Sequence, residues 1–211
     1  YAPDVLIMTA TPIPRTLALT VYGDLDVSLM KGRPPGRKSV QTLCYTEEKR
    51  KDVYAGLVRQ VQAGRQAYIV CPLIENSEVL NARSAENVYY ELVHSFLKNI
   101  PCALLHGKLK PAEKDAIMTE FSAGRIKVLV STTVIEVGVN VPNATLMVVE
   151  NAERFGLAQL HQLRGRVGRG SEQSYCVLLT SAEAPETLAR LQVLRDSDDG
   201  FYLAEKDLEQ R

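Results

Sequence analysis

From residue 40 onward, short apolar runs alternate with longer stretches in which apolar positions recur every three or four residues. The runs VQTLCY (40–45), AYIVCP (67–72), CALLH (102–106), KVLVST (127–132), TLMVVE (145–150) and SYCVLLT (174–180) are candidate strands. Several are apolar on both faces, as parallel strands covered on two sides should be. The segments between them predict amphipathic helices. Over 47–63, Val53, Leu57, Val58 and Val61 share a face, with Thr46 as N-cap and Glu47 and Glu48 in the first turn. Over 85–98, Val88, Leu92 and Phe96 repeat at i, i+4 and i+8 behind Ser84 as cap. A third helix opens at Pro111, a residue suited to the first helical position, and buries Ile117, Met118 and Phe121.

QAGRQAYIV and SAGRIKVLV both run Ala-Gly-Arg, two residues, then a strand. Gly64 and Gly124 are therefore expected to end helices in the left-handed conformation. The predicted fold class is α/β: an open, mostly parallel sheet with helices on both faces.

Residues 31–39, KGRPPGRKS, combine two prolines, two glycines and four basic residues, which predicts a stiff charged linker. The linker assigns residues 1–30 to a preceding domain and 40–182 to the main α/β unit. Residues 183–211 are acidic and helical in pattern through Leu188, Leu191 and Leu194, then loop-like at DSDDG. The chain opens without Met at YAPDVLIMTATP, so the expectation is a piece of a longer protein.

Composition narrows the partners. The 45% hydrophobic content supplies a core, and 25 basic residues balance 25 acidic ones, so attraction to nucleic acid must come from local clusters. No apolar run approaches the ~20 residues that span a bilayer, and no signal-peptide pattern is present. Cys44, Cys71, Cys102 and Cys176 lack metal-knuckle spacing and read as reduced thiols, so no membrane and a cytoplasmic location are expected. His94, His106 and His161 are too scattered to suggest zinc.

Ligand sites in open α/β sheets gather beyond the carboxyl ends of strands, which draws attention to TTVIEVGVNVPNA and LAQLHQLRGRVGRG. Arg166 and Arg169 stand three apart and would share one face of a helix. Gly165 and Gly168 leave room for another backbone or a ligand to come close. Two guanidiniums at one spot suit an anion with several oxygens, such as a phosphoryl group in transfer. The competing reading is a solvated basic face or a flexible nucleic-acid contact, but glycine is poor in a solvated helix. Thr132 and Thr133 end a strand, where hydroxyls either meet phosphate or cap the next segment. In TATPIPRT (9–16), Thr9 and Thr11 are hydrogen-bonding latches or strand-end caps. No GxxxxGK[ST] occurs, so arginines suited to phosphate stand without a P-loop, as half of a catalytic site.

TATPIPRT, LHGKLKPAEKDAIMTEF, TTVIEVGVNVPNA and QLHQLRGRVGRG, in that order, resemble superfamily 2 helicases, and most closely the RecG family of ATP-dependent DNA helicases. The resemblance covers nearly all the chain; the linker and residues 76–87 carry little of it. It implies that TATPIPRT closes a first RecA-like lobe, with Thr9 and Thr11 coupling hydrolysis to movement, and that 40–182 form the second RecA-like lobe. Thr132 and Thr133 would lie near the DNA backbone, and Gly138 and Asn140 would face nucleotide. Gln162, Arg166 and Arg169 would close on ATP, the arginines acting as fingers. The tail from 183 would begin a translocation motif shared with the transcription-repair coupling factor.

The implied activity is translocation on branched double-stranded DNA, with fork regression and Holliday-junction branch migration, in bacterial repair and recombination. Implied partners are that DNA and the first lobe and wedge domain of the same polypeptide. ATP and Mg2+ would be held mainly by the first lobe, leaving this part inactive alone. Asn140 departs from the Asp of many relatives, and the chain stops at Arg211 short of the family's Gly-Pro-Gly stretch. A coupling-factor translocase and a non-catalytic nucleic-acid module are the alternatives; His161 before Gln162 favours the RecG branch over the first.

Overall fold

The computed structural model describes residues 35–73, 77–132 and 140–209. Thr9, Thr11, Thr133, Gly138, the TATPIPRT stretch and the first part of the linker lie outside the described residues. The described strands are β1 (Gln41–Thr46), β2 (Gln66–Val70), β3 (Cys102–Leu105), β4 (Val128–Ser131), β5 (Ala144–Val149) and β6 (Tyr175–Thr180). They form one six-stranded sheet in the order β1-β6-β5-β2-β4-β3, and every pairing is parallel. All six predicted strands are present, with ends moved by a residue or two.

The helices are α1 (Arg50–Gln62), α2 (Glu78–Val93), α3 (Pro111–Ser122), α4 (Leu157–Arg164), α5 (Pro185–Asp196) and α6 (Gly200–Glu209). Because side chains alternate along each strand, the sheet builds two cores. Ile69, Val130, Val148 and Leu179 point to one face, against Tyr54 and Leu57 of α1 and Leu92 of α2. Tyr68, Leu129, Met147 and Leu178 point to the other, against Phe121 of α3, Leu160 of α4 and Leu191 of α5. Each large side chain buried this way contributes about 1.5–3 kcal/mol. That two-sided coverage is why the strands read as unbroken apolar runs. Among the described residues, no helix is long and apolar enough to cross a membrane.

Local signals held in several places. Gly64 and Gly124 adopt φ of 90° and 78°, each after the end of a helix, and Pro111 opens α3. Two expectations need correction. Thr46 makes no side-chain cap; a short 3-10 turn, Glu47–Lys49, intervenes before α1. Helix α2 begins at Glu78 rather than at 85, its cap is Ser77, whose Oγ accepts from the Leu80 N–H at 3.4 Å, and Ser84 lies inside it. The first turn of α2 carries exposed apolar residues, Val79 and Leu80, so the buried stripe that signals a helix starts only at Ala82 and Ala85. α2 also ends at Val93, so Phe96 reaches the core from the turn beyond, stacked 5.6 Å from Tyr54.

Candidate functional site

Helix α4 buries Leu157, Leu160, Leu163 and Arg164 and ends where Gly165 takes the C-cap. Glycine is among the weakest helix formers, and Gly168 turns the chain with φ of 76°. Arg166 and Arg169 therefore leave from a turn, and the shared helical face expected from their spacing does not form. Two glycines are demanded by the chain's own packing. A Cβ on Gly168 would stand 2.5 Å from Val40 Cγ2, and one on Gly170 would stand 2.8 Å from the Pro142 carbonyl oxygen. Val40 immediately precedes β1 and Pro142 lies just before β5, so the arginine loop runs along the amino-terminal side of the sheet. The carboxyl-end expectation does not hold for it.

Both side chains are half-buried. Arg169 Nε donates to the Gly165 carbonyl at 3.1 Å, and among the described residues no carboxylate pairs with it. Burial and then the charge of Arg169 lower the Arg166 pKa. Burial pushes the Tyr68 phenol up to about 12, and Arg166 and Arg169 both oppose that rise. The two guanidiniums and the phenol thus share a locality, in which both arginine charges act on the phenol and that of Arg169 acts on Arg166. Contact between Gly170 and Pro142 brings the segment holding exposed Asn140 to the same loop, and Gln162 is exposed on α4 nearby. Thr132 is elsewhere: it is buried at the carboxyl end of β4, its N–H donating to the Leu105 carbonyl at 3.2 Å.

Arg164 behaves in the opposite way from its neighbours. It is 4% exposed and donates to the Leu194 carbonyl at 2.6 Å, the Ser197 carbonyl at 2.8 Å and Thr42 Oγ1 at 3.3 Å. Asp198 stands 3.6 Å away. At the other end of α4, Asp207 of α6 accepts from the Leu157 and Ala158 N–H groups at 2.8 and 2.9 Å. Neither residue stands out as functional in the sequence. Arg164 shares the buried stripe with Leu157 and Leu160, and a charge on such a stripe signals a buried partner. Gly156, with no side chain to cap α4, signals that the cap comes from elsewhere.

A second charged cluster closes the carboxyl end of the sheet. Glu150, just past β5, accepts from Arg50 Nε at 3.1 Å and from the Tyr54 hydroxyl. Arg50 extends to Glu91 of α2 at 2.7 Å and lies over the Tyr54 ring. Burial, and next the Glu150 charge, raise the Tyr54 pKa well above its ordinary range. The same two causes, in the same order, raise that of Glu47.

A six-stranded parallel sheet covered by helices on both faces is the architecture of a RecA-like lobe. Residues 48–171 match the helicase conserved C-terminal domain, and the chain belongs to that family. It is 54% identical over 210 residues to the ATP-dependent DNA helicase RecG of Synechocystis sp., covering 100% of this chain and 25% of that protein. RecG of Bacillus subtilis is 52% identical over 209 residues, covering 99% of this chain and 31% of the relative. A solved structure of RecG bound to a three-way DNA junction superposes with a TM-score of 0.82 at 49% identity, covering 96% of this chain and 26% of that one. The chain therefore spans between 25% and 31% of the length of these curated relatives.

Proposed function

We propose that this chain supplies the second motor lobe of an ATP-dependent DNA helicase that acts on branched DNA. In this reading residues 1–30 close the first lobe, 31–39 link the two, 40–182 form the second lobe and 183–211 begin the translocation segment. The supporting observation is the crowding of Arg166 and Arg169 on one loop, with no carboxylate pairing to Arg169 among the described residues. A phosphate set between them would relieve their mutual repulsion, and guanidinium forks match its oxygens. Charge that develops on a γ-phosphoryl group during transfer would be met by donors already in place. Gln162, Asn140 and Gly138 would complete the nucleotide's surroundings from this side.

Arginine is a donor without acceptor capacity, so this loop fits phosphate oxygens and does not fit Mg2+. The metal would be held by the first lobe, where it would neutralise phosphate charge. The DNA backbone would be met through Thr133 and through Thr132, which lies at the carboxyl end of β4. Thr9 and Thr11 would couple the lobes, and a wedge domain would engage the junction.

In the complete polypeptide, Arg166→Ala and Arg169→Ala should each lower ATPase turnover by about 10³-fold or more, while junction affinity stays within a few-fold. Turnover kept and DNA affinity lost would identify a nucleic-acid module instead.

A further inference from the structure

Strand β2 runs through the interior of the sheet, between β4 and β5. Tyr68 lies there beside Leu129 on one strand and Met147 on the other. It is 1% exposed, and it carries a hydroxyl into an apolar cluster. Its ring packs against Phe121 of α3, with centroids 5.0 Å apart. For packing alone a phenylalanine would serve, since a buried hydroxyl costs free energy unless something bonds to it.

The arginine loop enters the same cluster. Val167, next to Arg166, is 3% exposed and belongs to the core that holds Tyr68 and Phe121. The contact of Gly170 with Pro142 sets the loop beside the start of β5, the strand that pairs with β2 through Met147 and Tyr68. The charges that act on the phenol are those of Arg166 and Arg169.

What the hydroxyl can do follows from what arginine lacks. A guanidinium has donors and no acceptor, so it can give a hydrogen bond to the phenolic oxygen but cannot take one. The phenol's own proton is left to donate, and burial holds it on the oxygen, with the pKa pushed up to about 12. A donor of that kind beside two guanidiniums makes a set that suits an anion with several oxygens.

We propose that the Tyr68 hydroxyl is a third donor of the arginine site, giving a hydrogen bond to an oxygen of the phosphate group that Arg166 and Arg169 bind. This rests on the phosphate role of those arginines and adds a donor from the sheet itself. The arginines leave from a turn, whereas Tyr68 stands on an interior strand with its ring packed. A donor held in that way is in place before charge develops on the group in transfer.

The test uses the complete polypeptide and Tyr68→Phe, which removes one oxygen and keeps the ring. DNA-stimulated ATP hydrolysis is measured together with binding of ADP alone and of ADP with aluminium fluoride, a stand-in for the phosphoryl group in transfer. kcat should fall about 10- to 100-fold, the loss expected for a hydrogen bond to a charged group. Affinity for ADP with aluminium fluoride should fall by a similar factor. Affinity for ADP alone should stay within about twofold, because ADP lacks the group that is contacted. Phe121→Leu loosens the packing of the ring and keeps the hydroxyl, so it should lower the melting temperature and leave kcat within a few-fold.

Unchanged kcat and unchanged aluminium fluoride binding in Tyr68→Phe would overturn the proposal. So would an equal loss of affinity for ADP alone, or equal losses of kcat in Tyr68→Phe and Phe121→Leu, which would make packing responsible. If Arg166→Ala and Arg169→Ala leave turnover intact, the phosphate reading itself fails and the role of Tyr68 falls with it. If they abolish turnover and Tyr68→Phe does not alter it, the arginine reading stands and the third donor is lost.

Discussion

The two ends of the sheet both concentrate charge, and they handle it in opposite ways. At the carboxyl end, Glu150 is enclosed by Arg50 and Tyr54, and Arg50 is shared with Glu91. The buried Glu150 carboxylate is met by a guanidinium and a hydroxyl, and the cluster pins β5, α1 and α2 together. On the amino-terminal side, Arg166 and Arg169 are held near each other, and the charge of Arg169 disfavours that of Arg166. A cluster of opposite charges is architecture, because its interaction energy is consumed within the fold. In the proposed reading, the two like charges on the arginine loop are there to meet a phosphate, and the fold does not depend on them.

Mutating each end of the sheet, with turnover and stability both measured, separates the two roles. Arg166→Ala, measured in the complete polypeptide, has the largest expected effect: a loss of about 10³-fold or more in ATPase with thermal stability changed by less than about 0.5 kcal/mol. A large drop in melting temperature would show that the arginine serves the fold. Glu150→Ala should do the reverse. Removing one partner of a buried ion pair costs about 3–5 kcal/mol, read as a lower urea midpoint for this chain.

Alkaline titration sharpens the same contrast more gently. Cys71 is pushed up to about 12 by burial, as is Cys176, so the unfolded chain releases these protons at lower pH than the folded one. Stability should be full below about pH 9 and fall as pH rises from about 9 toward 12. Iodoacetamide should leave both thiols unlabelled in the folded protein at pH 8. Rapid labelling there would contradict the packed core. The smallest effect is local: Ser77→Ala should cost at most about 1 kcal/mol, while Ser84→Ala inside α2 should be neutral or slightly stabilising. Equal losses at the two serines would undo the assigned start of α2.

The strands were legible because burial on both faces leaves nothing polar along them, and Gly64 and Gly124 were legible because a left-handed helix end favours glycine. The start of α2 was hidden by exposed Val79 and Leu80, whose apolar character gives no stripe. The arginine stretch was recognisable as chemistry, but its conformation was not. Spacing alone suggested one helical face, whereas Gly165 and Gly168 end the helix and turn the chain. Composition groups Arg164 with its neighbours, although its position on the buried stripe sends it inward. Asp207 was invisible to local reading, since its targets, the amides of Leu157 and Ala158, belong to another helix.

Among the described strands β6 comes last, yet it lies between β5 and β1, the first. Gln41 is paired with Tyr175, so the ladder that brings β1 into the sheet joins distant parts of the polypeptide. Long-range pairing of that kind has to overcome loop-closure entropy before it is rewarded, and it is intrinsically slow.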